Sequence, residues 1–435
     1  MPELYPFQQR VLEETKDKNR VAYYLDMGLG KTFVGSEKAI SMDAEIILVV
    51  CQKSKIRDWI EHFFTYYIDK RKCDESGAWC YDLTDRNGLD YFNHSKYRIR
   101  IGIINYDLIF RRPELMNLEN FTLMLDESSM IQNEQAKRSK FILKMHPKNV
   151  ILLSGTPVSG KYEHLWSQIH LLGWNISKEL YWNTYINSEW RDYGGGFLQR
   201  EVIGYKNVER LKNKLKEHGS VFMKTDEVFD LPEQVWSDVK TSVSKDYKKF
   251  QKDKVLIMPD GTELVGDTVL TQMLYERELC GIYHAEKLKA FKDLVDSTNE
   301  RLIVFYNFTA ELEAMQKILM DDDFEAHKRF SVVNGQIRAL QNYEDKENSI
   351  TFIQYQAGAK GLNLQKANRI IYFTPPLSVE NWMQSQKRIH RIGQKRTCFY
   401  YRMIVSGSVE QRIYKALQEG VDYTDALFLE DERMN

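Results

Sequence analysis

Short runs of aliphatic and β-branched residues recur along the chain, separated by amphipathic segments of helix length. Continuous apolar runs suit strands that are buried on both faces, as in a parallel sheet covered by helices. In the first half the runs at 21–25, 46–50, 100–104, 121–125 and 150–153 predict strands. The second half repeats the pattern at 301–306, 330–333, 349–354, 369–373 and 398–405. About five strands are thus expected twice over, a duplication of architecture with no sequence repeat beneath it.

Between these halves, residues 159–299 read as helical and irregular. An aromatic-rich stretch (Trp166, Trp174, Tyr181, Trp182, Tyr185, Trp190) is broken by Gly194-Gly-Gly196, the composition of a loop tip. Such rings can stack on bases, but a helical layer packed on the first lobe is the expected use. Leu231-Pro232 follows an acidic, loop-like run and places the division. The expected domains are 1–235, with a short helical insertion at about 160–220, and 236–435.

Composition sharpens this picture. At 435 residues the chain exceeds the size at which one hydrophobic core stops growing, so two domains are expected. Net charge is −1, so any surface for a polyanion must come from charge segregated onto one face. Five cysteines without a C-x-x-C pair argue against a disulfide framework and a zinc site, and fit a reducing cytoplasm. The start lacks a secretory pattern, and the run at 46–50 is too short to span a bilayer. A soluble cytoplasmic protein with no membrane partner is expected.

Chemistry concentrates after the predicted strands. Asp26-Met-Gly-Leu-Gly-Lys-Thr32 follows the first, so that Gly28, Gly30 and a helix N-terminus would face an anion. In such a loop Lys31 reaches phosphates and Thr32 ligates magnesium. The strict phosphate-loop spacing is not met, because Leu25 occupies the first glycine position. Asp126-Glu127 ends another strand, suiting Asp126 to hold magnesium and Glu127 to orient and deprotonate water. Adjacent acids are also common turn residues, and Leu153-Ser-Gly-Thr-Pro157 suits a structural turn, although its position after a strand is also one from which a hydroxyl would sense the γ-phosphate and pass its loss to a polymer site. Between Asn381 and Arg402 lie six Lys or Arg residues and no Asp or Glu. A helix there would put Gln384, Arg388 and Arg391 on one face, although a solvated basic helix would look the same.

Taken in order, these motifs resemble those of Swi/Snf-type helicase-like ATPases of superfamily two over nearly the whole chain. Leu4-Tyr-Pro-Phe-Gln8 is similar to the family's adenine-side glutamine motif, and residues 26–32 to its first ATPase motif, where the missing glycine is usual. Residues 49–54 with Trp59, and 104–107, resemble the motifs that line DNA in lobe one. Residues 126–129 resemble the DE-x-H box, 153–157 motif III, and 222–225 with 231–232 the end of the first lobe. In lobe two, 303–306 resemble motif IV, 356–364 motif V, 384–394 motif VI, and 407–413 the family's end.

The resemblance implies an α/β fold of two RecA-like lobes, each a mostly parallel sheet flanked by helices. It implies ATP and Mg2+ as cofactors, with Gln8, Gly28, Gly30, Lys31, Thr32 and Gln384 at the nucleotide and Thr32 and Asp126 at the metal. Lys31, Glu127, Arg388 and Arg391 are the implied catalytic set, the arginines arriving in cis from lobe two. Lys53, Asn105, Thr156, Gly361 and Asn363 are the implied DNA contacts. Ser129 replaces the family's bridging histidine and Ser154 a threonine, so coupling between the ATP and DNA sites is expected to run through hydroxyls.

The expected function is a DNA-stimulated ATPase translocating on double-stranded DNA, a monomeric motor without accessory modules. A bacterial or viral origin, with replication, recombination or nuclease proteins as candidate partners, suits that compact form. A strand-separating helicase would call for a wedge hairpin or an added domain, and neither is read from the sequence. An ATP-binding scaffold with weak turnover is favoured only by Ser129.

Overall fold

Every apolar run named above forms a strand in the computed structural model. The structure describes residues 3–42, 44–68, 77–155, 157, 161–192, 198–259, 261–358, 362–422 and 424. The chain divides into two units, Met1–Val228 and Phe229–Asn435. This division falls earlier than the expected boundary at 235, because the strand beginning at Gln234 belongs to the second sheet.

The first unit contains β1 (Arg20–Leu25), β2 (Ile46–Cys51), β3 (Ala78–Asp82), β4 (Ile99–Asn105), β5 (Phe121–Asp126) and β6 (Asn149–Leu153). After them come β7 (Ile186–Asp192), β8 (Leu198–Tyr205) and β9 (Ser220–Met223). Seven of these make one sheet in the order β3-β4-β2-β5-β6-β1-β9. Its pairings are parallel. The central strands are buried along nearly their whole length, as their unbroken apolar runs require. One consequence decides the site: β5, β6 and β1 are neighbours, with Asp126 opposite Leu153 and Leu153 opposite Tyr23. Three loops that carry chemistry therefore leave the same edge of the sheet.

The expected helical insertion is only partly helical. Helices Trp166–Leu171, Lys178–Tyr185 and Val208–Glu217 are present, but β7 and β8 form an antiparallel hairpin between the last two. Its polar, alternating sequence reads poorly as a strand because little of it is buried. Tyr181, Tyr185, Leu211 and Leu215 join the core of the sheet, with Trp166, Trp174 and Trp182 packed against it. The helical-layer use of these aromatics is what the fold shows, except that Trp190 on the hairpin is 65% exposed. The triple glycine lies outside the described residues.

The second unit contains β10 (Gln234–Ser242), β11 (Val255–Ile257), β12 (Glu263–Val265), β13 (Leu302–Tyr306) and β14 (Phe330–Val333). It continues with β15 (Arg338–Ala339), β16 (Ile350–Gln354), β17 (Arg369–Tyr372) and β18 (Cys398–Ser406). Seven of these again form one sheet, β10-β18-β17-β13-β16-β14-β15, parallel except for the β14–β15 pair. Apolar clusters cover both faces. Each sheet thus has seven strands and not the five expected. Among the described residues no helix is long and apolar enough to cross a membrane.

Candidate functional site

β1 ends at Leu25, and the chain then turns with Gly28 at φ 90° and Gly30 at φ 71°, conformations that favour glycine. At Gly30 an added Cβ would also lie 2.3 Å from Gln8 Nε2, so the Gln8 amide would have to move off the loop. Gln8 is buried against this loop, its amide donating to the Leu29 carbonyl (3.0 Å) and accepting from the Tyr5 amide (3.0 Å). Helix Lys31–Ser41 starts directly after Gly30, and no side chain caps it. An uncapped N-terminus behind a glycine turn presents backbone N–H groups and the positive end of the helix dipole to an anion.

Lys31 Nζ folds back over the loop and donates to the carbonyls of Leu25 (2.9 Å) and Asp26 (3.3 Å). It also lies close to Gly155, where an added Cβ would come within 3.3 Å of it. The lysine therefore stands between the phosphate loop and the turn at 154–157. Asp26 accepts from the amide (3.3 Å) and hydroxyl (3.1 Å) of Thr225, fastening the loop to the residues after β9.

β5 delivers Asp126 to the same edge. Burial pushes its carboxyl up from the usual range, against the lowering pull of a hydrogen bond from Trp59 Nε1 (2.8 Å) and the charges of Lys31 and Lys55. A half-buried acid whose ionised form is disfavoured by desolvation is suited to a divalent cation, which would restore the balance. Thr32, at the start of that helix, and Asp126, at the end of β5, carry oxygen donors of the kind magnesium takes, a cation that leaves most of its shell to water and phosphates. Among the described residues no group of three or more His, Cys, Asp or Glu forms a protein-only metal cage.

Glu127 adopts φ 56°, a left-handed conformation unusual outside glycine. Tyr106 holds this kink, its hydroxyl donating to the carbonyls of Asp126 (2.9 Å) and Glu127 (3.3 Å). The Glu127 carboxylate accepts from Ser154 Oγ at 3.4 Å. A hydroxyl thus does reach from the turn after β6 to the acid pair. The hydroxyl that reaches in the other direction belongs to Ser128 and not to Ser129, since Ser128 Oγ donates to Gln168 Oε1 (2.7 Å).

In the second unit, helix Val379–Gln386 stops before the arginines. The expectation that Gln384, Arg388 and Arg391 share a helical face is corrected: Gln384 lies in the helix, and both arginines lie in the turns beyond it. Burial of Ile389 and φ 94° at Gly393 demand a turn. Gln394 staples it by donating to the carbonyls of Ala367 (2.8 Å), Gln365 (3.1 Å) and Ile389 (3.3 Å). The guanidiniums nevertheless come together, because Arg388 (3.0 Å) and Arg391 (3.4 Å) both donate to the Leu362 carbonyl, and Arg391 also to Asn363 Oδ1. Gln384 is fully buried and donates to Glu380 (2.7 Å). His390 was not anticipated: it accepts from Gln234 Nε2 (2.8 Å) and donates to the Pro232 carbonyl (2.9 Å), linking the arginine turn to the start of β10.

Lys53 and Asn105 line one groove of about 840 Å3 in the first unit, together with Arg57, Thr84 and Arg111. None of these three stands out in the sequence, and Thr84 joins the groove because β3, which it follows, pairs with β4. Thr156 and Gly361 lie outside the described residues. Asn363 is engaged by Arg391.

The family profile of the SNF2-related domain matches residues 24–281, and that of the helicase conserved C-terminal domain residues 286–393. The ISWI chromatin-remodeling complex ATPase ISW1 of Saccharomyces cerevisiae is 23% identical, over 91% of this chain and 38% of its own length. The uncharacterized ATP-dependent helicase YqhH of Bacillus subtilis is 24% identical, over 97% of this chain and 78% of its own. A solved structure, the Sulfolobus solfataricus SWI2/SNF2 ATPase core in complex with dsDNA, aligns with a TM-score of 0.45 at 18% identity, covering 98% of this chain and 92% of that one. The chain spans well under half the length of the chromatin relatives it matches. With the SNF2-related profile covering more than half of its residues, and the helicase C-terminal profile following in order, the chain belongs to the SNF2-related family.

Proposed function

We propose that this chain is a DNA-stimulated ATPase that uses hydrolysis to translocate along double-stranded DNA. The observation that carries the proposal is the meeting of Lys31, Asp126 and the Glu127–Ser154 contact at one sheet edge, beside an uncapped helix N-terminus. Gln8 would flank the adenine, and Lys31 and the loop amides would hold the β and γ phosphates. Magnesium, held by Thr32 and Asp126, would supply charge neutralisation for the leaving phosphates. Glu127 would orient the attacking water and take its proton, a role suited to a residue whose backbone is held by Tyr106 and whose carboxylate accepts from Ser154. Arg388 and Arg391 would meet the transferring phosphoryl group from the second lobe, contributing on the order of 10³ to 10⁵ in rate.

Lys53, Arg57, Asn105 and Arg111 would contact the DNA backbone, which suits positioning without sequence readout. A chain that shares its family with an ATPase of chromatin-remodelling complexes and with an ATP-dependent helicase is consistent with this chemistry. The test is steady-state phosphate release with single-stranded DNA, duplex DNA, forked DNA and RNA. Duplex DNA should stimulate most, and equal rates without any nucleic acid would refute the proposal.

One observation favours a second reading, a strand-separating helicase: the hairpin β7–β8 carries exposed Trp190 and Leu198. Release of a strand from a forked duplex without a third-strand displacement activity would decide for it.

A further inference from the structure

Gln168 lies on helix Trp166–Leu171 and is completely buried, and both ends of its side-chain amide are engaged. Oε1 accepts from Ser128 Oγ (2.7 Å) and from Tyr24 OH (3.0 Å), while Nε2 donates to the Pro157 carbonyl (2.8 Å). Tyr24 precedes the glycine loop at 26–30, Ser128 follows Glu127, and Pro157 comes three residues after Ser154. The turn and the acid pair are therefore tied at two points, directly through Ser154–Glu127 and, on the far side, through this amide. A buried polar group bonded to β1, to the residue after Glu127 and to the Pro157 carbonyl fixes their spacing, because a lost bond leaves its partner desolvated and unsatisfied.

We infer that Gln168 is a positioning residue that holds the Glu127 loop, the phosphate-loop strand and the turn at 154–157 in register, so that stimulation by DNA reaches the acid pair through its amide. The inference rests on the motor reading and adds a residue that no motif named. Gln168→Met keeps the volume and removes all three bonds, Ser128→Ala removes one, and both are assayed by phosphate release with and without duplex DNA. In Gln168→Met the ATP KM and DNA-free turnover should stay within about twofold of wild type, while stimulation falls by about 3- to 30-fold, the range for loss of a coupling contact. Ser128→Ala should fall in the same direction, and the double variant should be no worse than Gln168→Met alone. Should Gln168→Met fail to fold, Ser128→Ala and Tyr24→Phe carry the test. A folded Gln168→Met stimulated as strongly as wild type overturns the inference alone, as does full additivity in the double variant. A wild-type chain whose turnover ignores DNA overturns the motor reading and this inference together.

Discussion

Arg388 and Arg391 share one acceptor: each guanidinium donates to the carbonyl oxygen of Leu362, at 3.0 and 3.4 Å. Arg391 also donates to Asn363 Oδ1, so the two guanidiniums are anchored at one place, and planar donor forks of this kind suit a bidentate anion. Arg388 is 5% exposed and supports the turn from within, whereas Arg391 reaches outward to Asn363. Arg391→Ala should therefore lower DNA-stimulated turnover by about 10³-fold or more with little change in unfolding midpoint. Arg388→Ala should lose turnover and also about 1–3 kcal/mol of stability, because it removes the shorter, buried charge-assisted bond to the Leu362 carbonyl and leaves only the longer one from Arg391. Phosphate release and urea unfolding separate the two, and wild-type turnover in Arg391→Ala would remove the finger assignment.

Phosphate contacts release counterions, so affinity for duplex DNA should fall steeply with salt. Lys53→Ala and Arg57→Ala should each weaken binding about equally for all sequences and reduce the log–log salt slope by about 1. Fluorescence anisotropy across a salt series measures this. An unchanged slope in both would exclude the groove that they line.

Acid should destabilise the first lobe through His62. This imidazole sits among Phe33, Trp59, Phe63, Tyr66 and Tyr67, touches Ser36 Oγ (3.1 Å), and has its pKa lowered to about 4 by burial. The unfolded chain, with an ordinary value of about 6.5, binds more protons than the folded one in between. The stability linked to His62 is thus present above about pH 6.5 and is lost as pH falls toward the folded value, with a slope of at most ~1.4 kcal/mol per pH unit. His62→Gln should flatten that dependence in urea unfolding. Identical slopes in variant and wild type would contradict the assignment.

What the sequence made legible follows from burial. The ten strands read from apolar runs are the interior strands of the two seven-stranded sheets, whereas β3, β9, β10 and β15 stand at the four sheet edges and were missed. An edge strand such as β10, Gln234-Val-Trp-Ser-Asp-Val-Lys-Thr-Ser242, is half solvated and carries no continuous apolar run. The loops holding Lys31, Asp126 and Ser154 were legible because each follows a buried run. The arginine turn was misread because Gln384, Arg388 and Arg391 also have helical spacing, although Gly393 marked the stop. Gln168 left no signal at all: a lone glutamine in an apolar helix resembles any solvent-facing position.

In the second lobe, Lys287 Nζ lies 2.5 Å from Glu410 Oε1, with the two side chains 0% and 1% exposed. Burial raises the Glu410 pKa, with Lys287 and the Val405 amide acting against it. Lys287→Met should cost about 3–5 kcal/mol, since it strands a buried carboxylate. Adding Glu410→Gln should recover part of the loss. Denaturant unfolding of the three variants checks this, and a harmless Lys287→Met would show that the pair contributes nothing.

The central claim, that the Glu127 site drives movement along duplex DNA, is tested most directly by third-strand displacement from a triplex, with wild type and Glu127→Gln compared at equal ATP. Wild type should release the third strand without separating the underlying duplex, and Glu127→Gln should bind DNA yet release none. Displacement that survives in Glu127→Gln, or a wild type that hydrolyses ATP on DNA and displaces nothing, would contradict the account.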